Sequence, residues 1–281
     1  MRLTVKTVKQ AIYIFISILV ICIVVAITRI NLPQPNVQTS NACNTVNSPS
    51  CVPSGSVPIS PTPNFNIPQT DKERFLSAIA SHLSNIPQPG SYEYILLKAY
   101  GAVFINQLTT VKLPSNVLLH NEEETQTFQN NLTMVKIEGT NDCYLQAIAA
   151  TALNQARSQE NIPLKSGYGS GDCTRTFATN LRFWHKYANQ HTLDKVKQGQ
   201  ETAILSTVAP PGASQHLWGL AIDLRISNQQ QRKTLNEYGW FQTVVNDVPH
   251  WTYLGLTESD LVNLGLVNRV EKGISYWVTP L

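Results

Sequence analysis

His216 and Asp223 lie seven residues apart in SQHLWGLAIDL (214–224), and His250 lies three residues after Asp247 in DVPHWTYLG (247–255). Two imidazoles and one carboxylate are a common catalytic zinc set, with the fourth position left to water. Asp247 is then a free carboxylate beside that water. A single histidine near an apolar strand is ordinarily a structural residue with a satisfied hydrogen bond. His82, His120, His185 and His191 are read that way. His216, Asp223 and His250 differ because they come as a set.

Such a set needs elements that bring it together. Leu220, Ile222 and Leu224 alternate with Ala221 and Asp223, the period of a strand with one buried face, which puts Asp223 on the other face. Gly219 lets the chain turn closely, so His216 reaches the same open side. HWTYL reads as a second strand on which His250, Thr252 and Leu254 share a face. Upstream, Thr70 and Glu73 form a capping box, and Phe75, Ile79 and Leu83 follow at helical spacing, predicting a helix over 71–84. The apolar run 92–104 suits helix or strand, and 110–138 reads as short strand-like pieces, VKLP and TMVKIEG among them. Helices are expected over 142–160, 174–187, 228–238 (stopped by Gly239) and 257–264 (stopped by Gly265). The glycine-rich SGYGSGDC (166–173) lacks the Lys-Ser/Thr ending of a phosphate loop and is read as a turn. The fold class expected is α+β, a small antiparallel sheet with packed helices.

The first 70 residues are a different material. Ala11–Ile27 is an uncharged apolar run, long enough at ~1.5 Å per residue to approach a bilayer core. Arg2, Lys6 and Lys9 precede it and Arg29 follows, which orients the N-terminus to the cytoplasm. The run ends VVAITRIN without the small-residue pattern of a cleavage site, so residues 1–30 are read as an uncleaved transmembrane anchor rather than a cleaved signal. Residues 31–70 are rich in Pro, Ser, Asn and Thr with no charge, a disordered linker that cannot bury enough apolar surface to fold. The expected location is the cell membrane, single-pass, with residues 71–281 outside the cytoplasm as the folded domain that carries the His216, Asp223 and His250 set.

Those four basic residues account for the excess positive charge. Residues 71–281 carry 17 Lys+Arg against 18 Asp+Glu, a net charge of −1, and nothing there points to a nucleic-acid partner. Of five cysteines, Cys22 lies in the apolar run; Cys43 with Cys51 and Cys143 with Cys173 are the local disulfide pairings expected in an oxidising compartment.

PPGASQHLWGLAIDL followed by DVPHWTYLG resembles the VanY-type D-alanyl-D-alanine carboxypeptidases, zinc DD-peptidases that share the fold of the hedgehog signalling domain. Their pattern SxHxxGxAxD is matched at Ser214, His216, Gly219, Ala221 and Asp223, and their acidic residue three before a histidine at Asp247 and His250. The similarity spans about residues 140–256. It implies one zinc ion held by His216, Asp223 and His250, with Asp247 as general base and Ser214 touching the substrate's terminal carboxylate.

This chain departs from the family twice. The family's base is usually Glu, one methylene longer than Asp247. The family also carries Arg in an SGYRS turn to hold the substrate carbonyl, where this chain has Gly169. Arg175 is the nearest substitute, and Arg225, on the Asp223 face, is another. The implied activity is hydrolysis of peptidoglycan stem peptides at D-Ala-D-Ala. The alternatives are an endopeptidase of the same chemistry or a zinc-binding envelope module that has lost catalysis.

Overall fold

The computed structural model describes residues 69–167 and 169–281. The anchor expected over 1–30, all but the last two residues of the expected linker, and the Cys43–Cys51 pairing lie outside the described residues. Among the described residues no helix is long and apolar enough to cross a membrane.

The capping box forms as expected: Thr70 Oγ1 accepts from the Glu73 backbone N–H while Glu73 accepts from the Thr70 N–H, starting α1 (Asp71–Ile79). The helix is shorter than the predicted 71–84. Past Ile79 the chain turns, and Ser84 donates its N–H to Ser115 O at 2.8 Å instead of continuing the ladder. The ambiguous run becomes α2 (Tyr92–Tyr100), extended by a fully buried 3-10 turn, Gly101–Ile105.

Within 110–138 the strand expectation holds only at β1 (Met134–Lys136). Glu122–Asn130 is instead a helix, α3, capped by Asn121. Its buried residue is Thr125, so it offers no apolar stripe to read. The helix expected from residue 142 starts later. Tyr144–Gln146 is β2, paired antiparallel with β1, and α4 runs Ala147–Gln159. The pairing with β1 overrides local helix preference at these first residues. Next come α5 (Phe177–Tyr187), capped by Thr176, α6 (Gln190–Lys197) and a 3-10 turn, Ala203–Ser206.

The motif region follows. A 3-10 turn, Gln215–Trp218, carries His216 and is closed by Gly219 in the left-handed region at φ 66°, which glycine adopts without strain. Then β3 (Ala221–Asp223), α7 (Gln229–Glu237), β4 (Trp240–Phe241) and β5 (His250–Tyr253) form the central unit, with antiparallel strand order β3-β5-β4. The register sets Asp223 opposite His250. The strand bearing Asp223 was expected to have one buried face, but Ala221, Ile222 and Asp223 are all buried. The open side proved to be an enclosed cleft rather than solvent.

The chain ends with α8 (Glu258–Asn263) and a hairpin, β6 (Val267–Glu271) with β7 (Ile274–Val278), which the sequence reading left unassigned. Trp184, Trp218, Trp240 and Trp251 anchor the core that backs the sheet. The architecture is mixed α and β with small antiparallel sheets, as expected.

Candidate metal centre

Antiparallel pairing makes the site. Asp223 and His250 are cross-strand partners, so their side chains emerge side by side, and the turn before β3 folds His216 over them. His216 Nε2 lies 3.2 Å from His250 Nδ1 and 3.4 Å from Asp223 Oδ1, and His250 Nδ1 lies 3.7 Å from the same oxygen. All three residues are buried, and one ligand atom from each falls within 4.8 Å of the others.

The protons on these rings follow from their outer partners. His216 Nδ1 is 2.9 Å from the Cys173 carbonyl, which can only accept, so Nδ1 carries the proton. Gln215 donates its amide NH2 to Tyr100 O at 2.7 Å, which turns its carbonyl toward His250 Nε2 at 2.8 Å. Thr252 Oγ1 donates to the same Gln215 oxygen at 2.6 Å and pairs with Thr243 Oγ1 at 2.8 Å. His250 therefore holds its proton on Nε2. The inward atoms are two nitrogen lone pairs and a carboxylate oxygen: three acceptors with no donor among them. A divalent cation is the partner that such a donor set calls for.

Charge states agree with this. Burial, with the Arg175 guanidinium nearby, pushes the His216 imidazole down to about 4, so it is neutral and ready to ligate. Burial pushes the Asp223 carboxyl up, yet His216, His250 and Arg175 together outweigh it and hold it well below the ordinary carboxylate range.

Asp247 lines the same cleft, half-buried. It is aimed by a turn in which Asn246 takes φ 67°, a left-handed conformation that asparagine tolerates better than most residues. Burial raises the Asp247 carboxyl to about 6; the Asp223 charge adds to this, while His250 opposes it.

Ser214 also lines the cleft. The two arginines separate. Arg175 lines it, but its guanidinium is engaged by Asp223 Oδ2 at 2.6 Å and Gly171 O at 2.8 Å. Arg225 is exposed and donates to Lys165 O at 2.6 Å; it does not line the cleft. Alternation placed it on the Asp223 face, but β3 ends at Asp223 and the backbone of Arg225 turns to pair with Pro163 O. Gly169, at the position of the family's arginine, has φ 120°, and a Cβ there would meet Asp142 Oδ1 at 2.5 Å. A side chain at that point would strain the backbone and displace the Asp142 carboxylate.

Reading motifs missed Gln215, Thr252, Lys165 and the Cys173 carbonyl. Thr252 had a signal, the face it shares with His250. Gln215 sits at an unspecified position of the motif, and a backbone carbonyl has no sequence signature.

A family profile described as "VanY: D-alanyl-D-alanine carboxypeptidase" matches residues 144–255. That span contains every ligand-bearing element just described. Residues 144–255 are similar to the VanY family. The similarity is to D-alanyl-D-alanine carboxypeptidases, and within it His216, Asp223 and His250 are a group suited to a metal ion.

No curated protein matches the chain. Solved structures similar to it include the vancomycin-resistance D,D-dipeptidase VanXYg with a D-Ala-D-Ala phosphinate analogue (15% identity, 50% of this chain and 71% of that one, TM-score 0.32). A mutant of the D,D-pentapeptidase VanY from a VanB-type cassette, with Zn(II), shows 17% identity over 48% of this chain and 85% of that one, TM-score 0.35. The LD-carboxypeptidase LdcB shows 17% identity over 47% and 70%, TM-score 0.29.

Proposed function

We propose that the chain is a D-Ala-D-Ala carboxypeptidase of peptidoglycan stem peptides, with a hedgehog/DD-peptidase-like domain over 71–281. The observation that carries this reading is the convergence of His216, Asp223 and His250 with Asp247 in one cleft, inside the family-matching segment. The cleft encloses about 90 Å³. That is far below the roughly 300–1,000 Å³ of pockets for drug-sized ligands and suits the small end of a peptide.

When held by His216, Asp223 and His250, zinc would supply Lewis acidity, polarising a carbonyl and lowering the pKa of a water from ~16 toward ~7. Asp247 accepts a proton from the attacking water and passes it to the departing amine. Its carboxyl at about 6 is mostly ionised at neutral pH yet basic enough to take a proton. Arg175 keeps Asp223 ionised and fixed. The protein provides no covalent nucleophile in this scheme.

The apolar run at 11–27, with basic residues before it, supports a single-pass membrane anchor that holds the domain outside the cytoplasm, where its substrate lies. The test is release of free D-Ala from a stem peptide by the purified chain. Activity is expected to vanish with a chelator and in Asp247→Ala. Products heavier than D-Ala would indicate cleavage within the stem. Zinc bound at one equivalent with no turnover on any peptide would indicate a binding module. Turnover that survives both chelator and Asp247→Ala would overturn the proposal.

A further inference from the structure

The cleft poses a charge problem. Its acidic lining residues are Asp223 and Asp247, and its basic ones are Lys165 and Arg175. A dication at His216, Asp223 and His250 leaves it net positive, complementary to an anionic ligand. Arg175 is already engaged by Asp223 and Gly171 O, Arg225 is outside, and Gly169 offers no side chain. Lys165 remains. Its Nζ stands 4.0 Å from Asp223 Oδ2, beyond hydrogen-bonding distance, on a side chain that is 53% exposed.

The position of Lys165 is built rather than incidental. Leu164 bridges Leu224, Lys165 N donates to Asp223 O at 3.0 Å, and Lys165 O accepts from Arg225. The backbone of Lys165 is therefore locked beside the strand that carries Asp223. Only its flexible stem is free to move an ammonium across the cleft mouth.

We propose that Lys165 supplies the positive charge that reads the free C-terminal carboxylate of the substrate, alongside the Ser214 hydroxyl of the same cleft, restricting the site to cleavage next to a peptide's end. This rests on the carboxypeptidase reading above and names its specificity determinant. With Asp223 held at 2.6 Å by Arg175, the Lys165 ammonium, only 4.0 Å from the same carboxylate and half exposed, is the more loosely engaged positive group of the lining. A carboxylate pairs with it through a charge-assisted hydrogen bond.

The test compares a peptide ending in D-Ala-D-Ala with its C-terminal amide, on the zinc-loaded chain, by KM and kcat and by calorimetric binding in an Asp247→Asn background. The parent is expected to favour the free acid. Lys165→Met keeps the apolar stem and is expected to raise KM and Kd for the free acid about tenfold or more, as for loss of one charged hydrogen bond, with the amide unchanged. Lys165→Arg is expected to retain the preference. A Lys165→Met chain that discriminates as the parent does, or that loses equally on both peptides, overturns the proposal. Absence of turnover in the parent would sink the carboxypeptidase reading instead, while the binding comparison still decides Lys165.

Discussion

Arg175 and Asp223 form a 2.6 Å ion pair through Oδ2, which leaves Oδ1 facing the two imidazoles. One carboxylate thus pairs with the guanidinium through one oxygen and keeps the other available to a metal ion beside the two imidazoles. An arginine at this point tethers the metal ligand.

Arg175→Met is expected to destabilise the metal-free protein by on the order of 3 kcal/mol, because it strands a buried carboxylate. The zinc-loaded protein is expected to lose less, since the ion still partners Asp223. Urea unfolding with and without zinc measures both. Equal losses in the two states would show that the pair does not act through the metal site.

Gln215→Leu removes the acceptor for the His250 Nε2 proton and frees the ring to take the other tautomer. Zinc affinity, measured by competition with a chelator, is expected to fall about 10–100-fold. Gln215→Glu keeps an acceptor and is expected to retain affinity. If the leucine variant holds zinc as tightly as the parent, the orientation of His250 is set by packing alone.

Asp247 gives a pH signature. As a base it works ionised, so kcat/KM is expected to rise with pH and level off above about 6, a limb that Asp247→Asn removes along with activity. The stability effect has the opposite sign. Burial raises this carboxyl above its ordinary 3.8, so the folded state favours the protonated form. Its contribution is fully present below about 3.8 and lost as pH rises through about 6. In metal-free protein, Asp247→Asn is therefore expected to be more stable than the parent at pH 7, by thermal unfolding.

Cys143 and Cys173 are joined, with Cα atoms 5.4 Å apart and a sequence separation of 30. This bears out the expected pairing. The bond staples the segment whose Cys173 carbonyl orients His216. Replacing both cysteines by alanine is expected to cost about 3–4 kcal/mol by the loop-entropy argument. It is also expected to weaken zinc binding, measured by chelator competition on protein still folded at low temperature. Unchanged affinity would restrict the disulfide to a role in stability.

Much of the site could be read before the fold. His216, Asp223, His250 and Asp247 announce themselves by chemical type and fixed spacing, because strand pairing and a glycine turn leave few ways to arrange SQHLWGLAIDL against HWTYL. The capping box at Thr70 and the stops at Gly239 and Gly265 are likewise local: each depends on groups within a few residues. α3 and β2 were misread because neither is dictated locally. One has no apolar stripe, and the other exists through its pairing with β1.

Tertiary structure alone decided which atoms surround the metal ligands. The engagement of Arg175 with Asp223, the exclusion of Arg225, the crowding of Gly169 by Asp142 and the Gln215 amide behind His250 join residues 27 to 60 positions apart, or hinge on a backbone carbonyl and a positive φ. Sequence specifies the types of side chain that can bind an ion. The directions in which protons and charges point are set by groups that come together only when the chain has packed.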